Sequence, residues 1–312
     1  MPGEDFAAIR RNLPPGFWEA LADPHVTELY VNGAGRLWLE VLGKGRTATE
    51  VEIPAHGIQS FLFAMAAREN RELNDRAPEL AAQLPEALGF CRLQGLVPPL
   101  VREPSFVLRK PASLPLRLDD YVRQGMLSAE QLAAIHRALA ERLNLLVVGG
   151  TRSGKTTLAS AILAELATVA PADRLVVLED TPELSLPSVD VQYLRTSPTH
   201  DLQALLRLVL RLAPDRIIVG EVRGSEALAL LDAWSTGHPG GIATLHANDA
   251  AGALHRLDRL AQRNNVPSQL DLIASAVDLV LVLRGGSARR ELAESVRVGD
   301  VVSGTFQLTS WP

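Results

Sequence analysis

Apolar residues alternate with polar ones early in the chain and gather into short solid runs later. Residues 26–31 form one run ending at Asn32-Gly33, a pair suited to a two-residue hairpin turn because both positions tolerate positive φ. Residues 36–42 follow with Leu37, Leu39 and Val41 in strand period, and Gly43-Lys44-Gly45 marks another turn. Ile58, Phe61, Leu62 and Met65 are spaced for one helix face. Residues 90–93 and 106–108 read as further strands, and Pro98-Pro99 forbids a continuous helix between them. The first 110 residues are therefore predicted as an α+β domain.

Pro111 and Pro115 mark residues 110–118 as a connecting segment, and the linker is assigned to residues 111–127. Ser128 with Gln131 forms a capping box that opens a helix running to Arg142. Four short apolar runs then alternate with helical stretches: 145–148, 175–178, 217–219 and 280–283. That alternation predicts an α/β domain over residues 128–312, with a parallel sheet covered by helices.

Composition narrows the class without fixing it. Hydrophobic residues make up 47% and charged residues 21% of 312, which excludes a mostly disordered chain. The formal net charge of -5 gives no support to non-specific nucleic-acid binding. Cys91 is the only cysteine, so neither an internal disulfide nor a cysteine metal cluster is possible, and it reads as buried and inert. Residues 1–12 do not read as a signal peptide, and no apolar run approaches the ~18 residues of a membrane span. A soluble cytoplasmic protein is expected.

The chemistry is concentrated after the run 145–148. Gly149-Gly150-Thr151-Arg152-Ser153-Gly154-Lys155-Thr156, followed by Thr157 and a helical run, fits G-x-x-x-x-G-K-[ST] in its strand–loop–helix context. The glycines let backbone N–H groups turn inward on phosphate oxygens, Lys155 faces the β- and γ-phosphates, and Thr156 offers a hydroxyl to Mg²⁺. A chance match in a chain this long is roughly a one-in-a-hundred event. ATP and Mg²⁺ are thus implied. In such a fold ligands lie at the carboxyl ends of the strands. Glu179 and Glu221 fall there, placed to hold Mg²⁺ or to polarise the attacking water. Asp180 reads equally as a turn former or as a site residue, and Asp215 as a turn residue. A third run ends at His246; a lone histidine at a strand end is ordinarily just a satisfied polar residue.

Several motifs occur in order: Gly149 to Thr156; Leu178-Glu179-Asp180-Thr181-Pro182-Glu183-Leu184; Arg207 and Arg211 leading to Asp215-Arg216-Ile217-Ile218-Val219-Gly220-Glu221-Val222-Arg223; and Thr236-Gly237-His238-Pro239-Gly240-Gly241 through Thr244-Leu245-His246-Ala247-Asn248. Together they resemble the Walker A, Asp, atypical Walker B and His boxes of the type II and type IV secretion (traffic) ATPases. The resemblance is strongest to the conjugal-transfer ATPases of the TrbB type. It extends into the first half through Val31-Asn32-Gly33, Gln94 to Pro99 and Phe106 to Pro111.

The resemblance implies a RecA-like C-terminal domain, a homohexameric ring, and a nucleotide lying between the two domains of one subunit. It also implies a site for the ring at the inner-membrane base of a secretion channel, in peripheral contact with the membrane, driving pilus assembly or substrate transfer. His246 gains a role at the γ-phosphate. Arg92, Arg109, Arg207 and Arg211 become candidate nucleotide contacts, with Arg117 and Arg223 as further arginines able to stabilise the γ-phosphate. Arg289-Arg290-Glu291 mixes charge signs and reads as solvated surface. A pilus or type II secretion motor, a P-loop small-molecule kinase and a nucleic-acid translocase are the alternatives.

Overall fold

The computed structural model describes residues 10–42, 44–111, 117–151, 153–184, 186, 190–197, 199–285 and 290–312. Expectations placed on residues 1–9, Gly43, Pro115, Arg152 and Arg289 lie outside the described residues. The chain divides into two compact units, Met1–Leu114 and Pro115–Pro312.

The first unit is built on six antiparallel strands: β1 (Val26–Val31), β2 (Arg36–Val41), β3 (Gly45–Glu52), β4 (Glu79–Gln83), β5 (Arg92–Leu96) and β6 (Ser105–Arg109). Their order is β3-β2-β1-β6-β5-β4. Two helices, α1 (Pro15–Ala22) and α2 (Ala55–Arg68), contribute Phe17 and Phe61, which meet Phe106 of β6 with ring centroids 5.9 and 5.4 Å away. The spacing of Ile58, Phe61, Leu62 and Met65 is the buried face of α2. Two local details differ from expectation. The β1–β2 turn has four residues rather than two: Asn32 accepts from the Ala34 amide through its side chain, and the chain closes at Gly35, φ +76°. Phe90 has φ +52° and ends a turn, so its strand begins only at Arg92. The polar strands β3 and β4 escaped prediction because neither alternates clearly.

The second unit carries an eight-stranded sheet of β7 (Leu145–Gly149), β8 (Leu175–Glu179), β9 (Val191–Arg195), β10 (Arg216–Val222), β11 (Ile242–His246), β12 (Leu279–Gly285), β13 (Arg290–Val302) and β14 (Thr305–Ser310). The order is β14-β13-β12-β7-β11-β10-β8-β9. The six strands from β12 to β9 run parallel, as predicted, and β13 and β14 extend them antiparallel.

Alternate strand residues feed two cores. Leu145 and Val147 join α3 (Leu118–Arg123), α4 (Ala129–Ala140) and α5 (Lys155–Val169) on one face. Leu146 and Val148 join α6 (Leu202–Val209), α7 (Glu226–Ser235), α8 (Ala250–Ala261) and α9 (Leu270–Ala276) on the other. All five residues of β7 are buried, as a strand covered on both faces requires. The predicted Ser128–Gln131 capping box opens α4, which ends at Ala140, short of Arg142.

One buried ion cluster ties down the amino end of the sheet. Arg216, 1% exposed, donates from Nε to Asp173 Oδ2 at 2.6 Å, and from its two other nitrogens to the carbonyls of Leu139 and Gly240. Arg142 pairs with the other oxygen of Asp173 at 2.6 Å. Asp215, in the turn before β10, accepts from the Arg174 amide.

Candidate functional site

The phosphate loop joins the end of β7 to the start of α5. Two of its glycines are required by the backbone. A Cβ on Gly149 would lie 2.7 Å from the Leu283 carbonyl oxygen, and Gly154 has φ +95°. Gly150 faces open space. Ser153 is buried and its hydroxyl has no hydrogen-bond partner among the described residues. A donor left over inside a turn of backbone amides, at the N-terminus of a 15-residue helix, suits a phosphate oxygen. Thr151 is exposed, and Thr156 and Thr157 are half-buried on the first turn of α5.

Lys155 is 6% exposed. Its amine donates to the Gly150 carbonyl at 3.0 Å and lies 3.3 Å from His246 Nδ1. His246 Nε2 is 3.0 Å from Glu221 Oε1. A neutral imidazole can accept from Lys155 at Nδ1, whereas its approach to Glu221 lacks hydrogen-bond geometry and leaves Oε1 buried without a hydrogen-bond partner among the described residues. Burial, reinforced by the Lys155 charge, holds the imidazole below its ordinary value, with Glu221 pulling the other way. The other Glu221 oxygen receives Arg223 through Nε at 2.8 Å and through a terminal nitrogen. Arg223 also stands 3.9 Å from Asp180. One row of groups thus runs Lys155, His246, Glu221, Arg223 across the tips of neighbouring strands.

Glu179 is set apart from that row by its own bonds. It is 4% exposed, and its Oε1 accepts from the amides of Glu183 and Leu184, fastening the loop that follows β8. Burial pushes its carboxyl above the ordinary value despite those two bonds. A Cβ on Gly220 would press on the Glu179 side chain at 3.1 Å, so the glycine before Glu221 makes room for it.

The second unit's other candidate arginines have no contact with this row among the described residues. Arg207 is exposed on α6, and Arg211 is exposed beyond its end. Arg117 is 3.7 Å from Glu165 on α5. Arg92 and Arg109 are register partners on β5 and β6 of the first unit. Two residues escaped the sequence reading. Glu226 is buried and accepts from the amides of Arg223 and Gly224, fixing the turn that aims Arg223; an acid in the first turn of α7 is the signal that marks it. Arg290 is not solvated surface. It lies half-buried against Gly154.

Among the described residues no group of three or more His, Cys, Asp or Glu side chains could hold a metal ion. Mg²⁺ at a phosphate loop needs none, because phosphate oxygens and water supply most of its ligands. The Thr156 hydroxyl and the Glu221 carboxylate fit that sparse donor set.

A phosphate loop between a buried strand and a helix, beside an acid–imidazole pair on adjacent strand tips, defines a P-loop ATPase of α/β fold. The chain belongs to the type II/IV secretion system protein family, whose model matches residues 64–294. It is 44% identical over 272 residues to a conjugal transfer protein TrbB of Rhizobium radiobacter, covering 87% of this chain and 83% of that one. It is 40% identical over 291 residues to a probable conjugal transfer protein TrbB of Sinorhizobium fredii, covering 93% and 89%. In fold it is similar to the Legionella pneumophila ATPase DotB, with a TM-score of 0.65 at 20% identity, covering 91% of this chain and 80% of that one. Among the described residues no helix is long and apolar enough to cross a membrane.

Proposed function

We propose that this chain is a Mg²⁺-dependent ATPase that works as a homohexameric ring and powers conjugative type IV secretion, in pilus assembly, substrate transfer or both. The observation carrying this reading is the convergence of Lys155, His246 and Glu221 at the tips of β7, β11 and β10, three neighbouring strands. The relatives named as conjugal transfer proteins support the secretion setting. Docking on inner-membrane components, in peripheral contact with the membrane, is part of the same proposal.

The division of labour follows from position. Amides of Gly149, Gly150, Thr151, Ser153, Gly154, Thr156 and Thr157 hold the phosphates, and Lys155 offsets the charge on the β- and γ-groups. Glu221 takes the proton of the attacking water. His246 orients Glu221 and, being neutral, adds no charge beside Lys155. Arg223 holds the Glu221 carboxylate in line through two contacts to one of its oxygens. Mg²⁺, when bound, offsets developing charge on the phosphates, with Thr156 and Glu221 as the residues that would hold it. Glu179, already committed to two amides, anchors the neighbouring loop rather than the metal.

Lys155→Ala tests the reading: ATP hydrolysis and conjugative transfer are both expected to be lost, and full activity would refute the site. Particle mass with and without ATP tests the ring, and a persistent monomer overturns it. Phosphate release without an acceptor separates this protein from a small-molecule kinase. Hydrolysis stimulated by DNA with steep salt dependence would favour a translocase instead.

A further inference from the structure

The β12–β13 hairpin brings a cation to the far side of the phosphate loop. Gly149 at the root of the loop has two register neighbours, His246 on β11 and Leu283 on β12. The first belongs to the Glu221 row. The second leads into the hairpin whose return strand begins at Arg290. The pairing of β12 with β13 shifts between Val282 and Leu283, which leaves Ala293 as an extra residue on β13. A bulge of this kind re-aims the side chains beyond it. Leu292 is then buried with Leu283 and Leu158 on the α5 face, and Arg290, two residues away, shares that face.

The approach is close. A Cβ on Gly154 would lie 3.4 Å from both Cδ and Nη1 of Arg290. The Arg290 Nε is buried and has no hydrogen-bond partner among the described residues. A guanidinium N–H shut away from water without an acceptor is costly to maintain, and a phosphate oxygen is the acceptor its planar fork suits best. We propose that Arg290 binds the α- and β-phosphates of the nucleotide from the β12 side, opposite the side on which Glu221 and His246 face the γ-phosphate. This contact presupposes the phosphate-loop reading above and adds a binding residue to it. The hairpin that carries Arg290 thereby becomes part of the nucleotide site.

A fluorescent ADP analogue, displaced in turn by ATP, ADP and AMP, measures the contact in wild type, Arg290→Ala and Arg290→Lys. Arg290→Ala is expected to weaken ADP and ATP by the same factor, about tenfold. AMP is expected to lose less, and Arg290→Lys should fall between. In steady state the deficit should appear in KM rather than in kcat. Wild-type affinity for ADP in Arg290→Ala overturns the proposal, as does a deficit confined to kcat. Should the alanine variant fail to fold, Arg290→Lys and Arg290→Gln decide by the same readout. Lys155→Ala separates the two readings. If it leaves nucleotide affinity untouched, the phosphate loop itself has been misread; if it weakens binding and the Arg290 variants do not, only the Arg290 contact fails.

Discussion

Arg216 and Glu221 stand five residues apart on β10, toward opposite edges of the parallel part of one sheet. Around Arg216 every charge is answered within the fold: Asp173 receives Arg216 on one oxygen and Arg142 on the other, and two backbone carbonyls take what remains. Around Glu221 the charges form an open row at the strand tips. Arg223 bonds one oxygen of Glu221 and stands 3.9 Å from Asp180, the His246 imidazole lies 3.0 Å from the other oxygen, and Lys155 lies 3.3 Å from that imidazole. A cluster that closes on itself serves stability. A row that leads from a carboxylate to a lysine beside a ring of amides is arranged for an anion that the protein does not itself supply.

The sharpest way to break this contrast is to remove one charge from each end. Glu221→Gln keeps the shape of the side chain and loses the base. Turnover is expected to fall by about 10²- to 10⁴-fold while ATP binding persists, measured as phosphate release against nucleotide affinity. Normal turnover would make Glu221 structural, like its neighbour at the other end. Asp173→Ala should do the reverse. It strands Arg216, which is 1% exposed, and the expected loss is about 3–5 kcal/mol in urea unfolding, with kcat per folded molecule little changed. A variant that folds as firmly as wild type would show that the amino-end cluster is not what secures the sheet.

The two ends also differ in how legible they were. The phosphate loop could be read directly, because its spacing is dictated by one turn of backbone around a phosphate and by the strand and helix beside it. Glu221 could be singled out because it follows an apolar run, and strand ends are where such folds bind; His246 also ends such a run, but only the family resemblance gave it a role. Arg216 carries no such signal: its partners Asp173, Leu139 and Gly240 come from three distant segments that only the fold unites. Arg290 was misread for the same reason. In sequence it is one of two arginines before a glutamate, and only the bulge and the pairing of β12 with β7 turn it toward Gly154. Strands β13 and β14 escaped notice because their antiparallel return is polar on one side, whereas the fully buried parallel strands read as solid apolar runs.

Glu179 sits between these cases, on a strand tip like Glu221 yet bonded to its own loop. Its two amide bonds predict a graded response. Glu179→Ala leaves the Glu183 and Leu184 amides without their acceptor and is expected to cost about 2 kcal/mol. Glu179→Gln keeps an oxygen acceptor and should cost markedly less, with hydrolysis largely retained. If the glutamine variant instead loses turnover as Glu221→Gln does, the charge of Glu179 acts on the reaction and the anchoring role is too small an account.

The smallest effect is the one that depends on pH. His246 is held below its ordinary value of 6.5, chiefly by burial and then by Lys155, so near neutrality it is uncharged in the folded chain. In the unfolded chain the same imidazole takes up its proton first. Stability from this group is therefore complete above about pH 6.5 and declines as pH falls toward the folded-state pKa. Activity should follow the same direction. Protonation removes the Nδ1 acceptor that Lys155 uses and places two positive charges 3.3 Å apart. Turnover at saturating ATP is expected to drop on the acid side, with an apparent pKa below 6.5. In His246→Gln that limb should disappear, leaving a flatter and several-fold lower profile. A limb that survives unchanged in the glutamine variant would assign the titration to another group, and the row from Lys155 to Glu221 would then work without its imidazole changing charge.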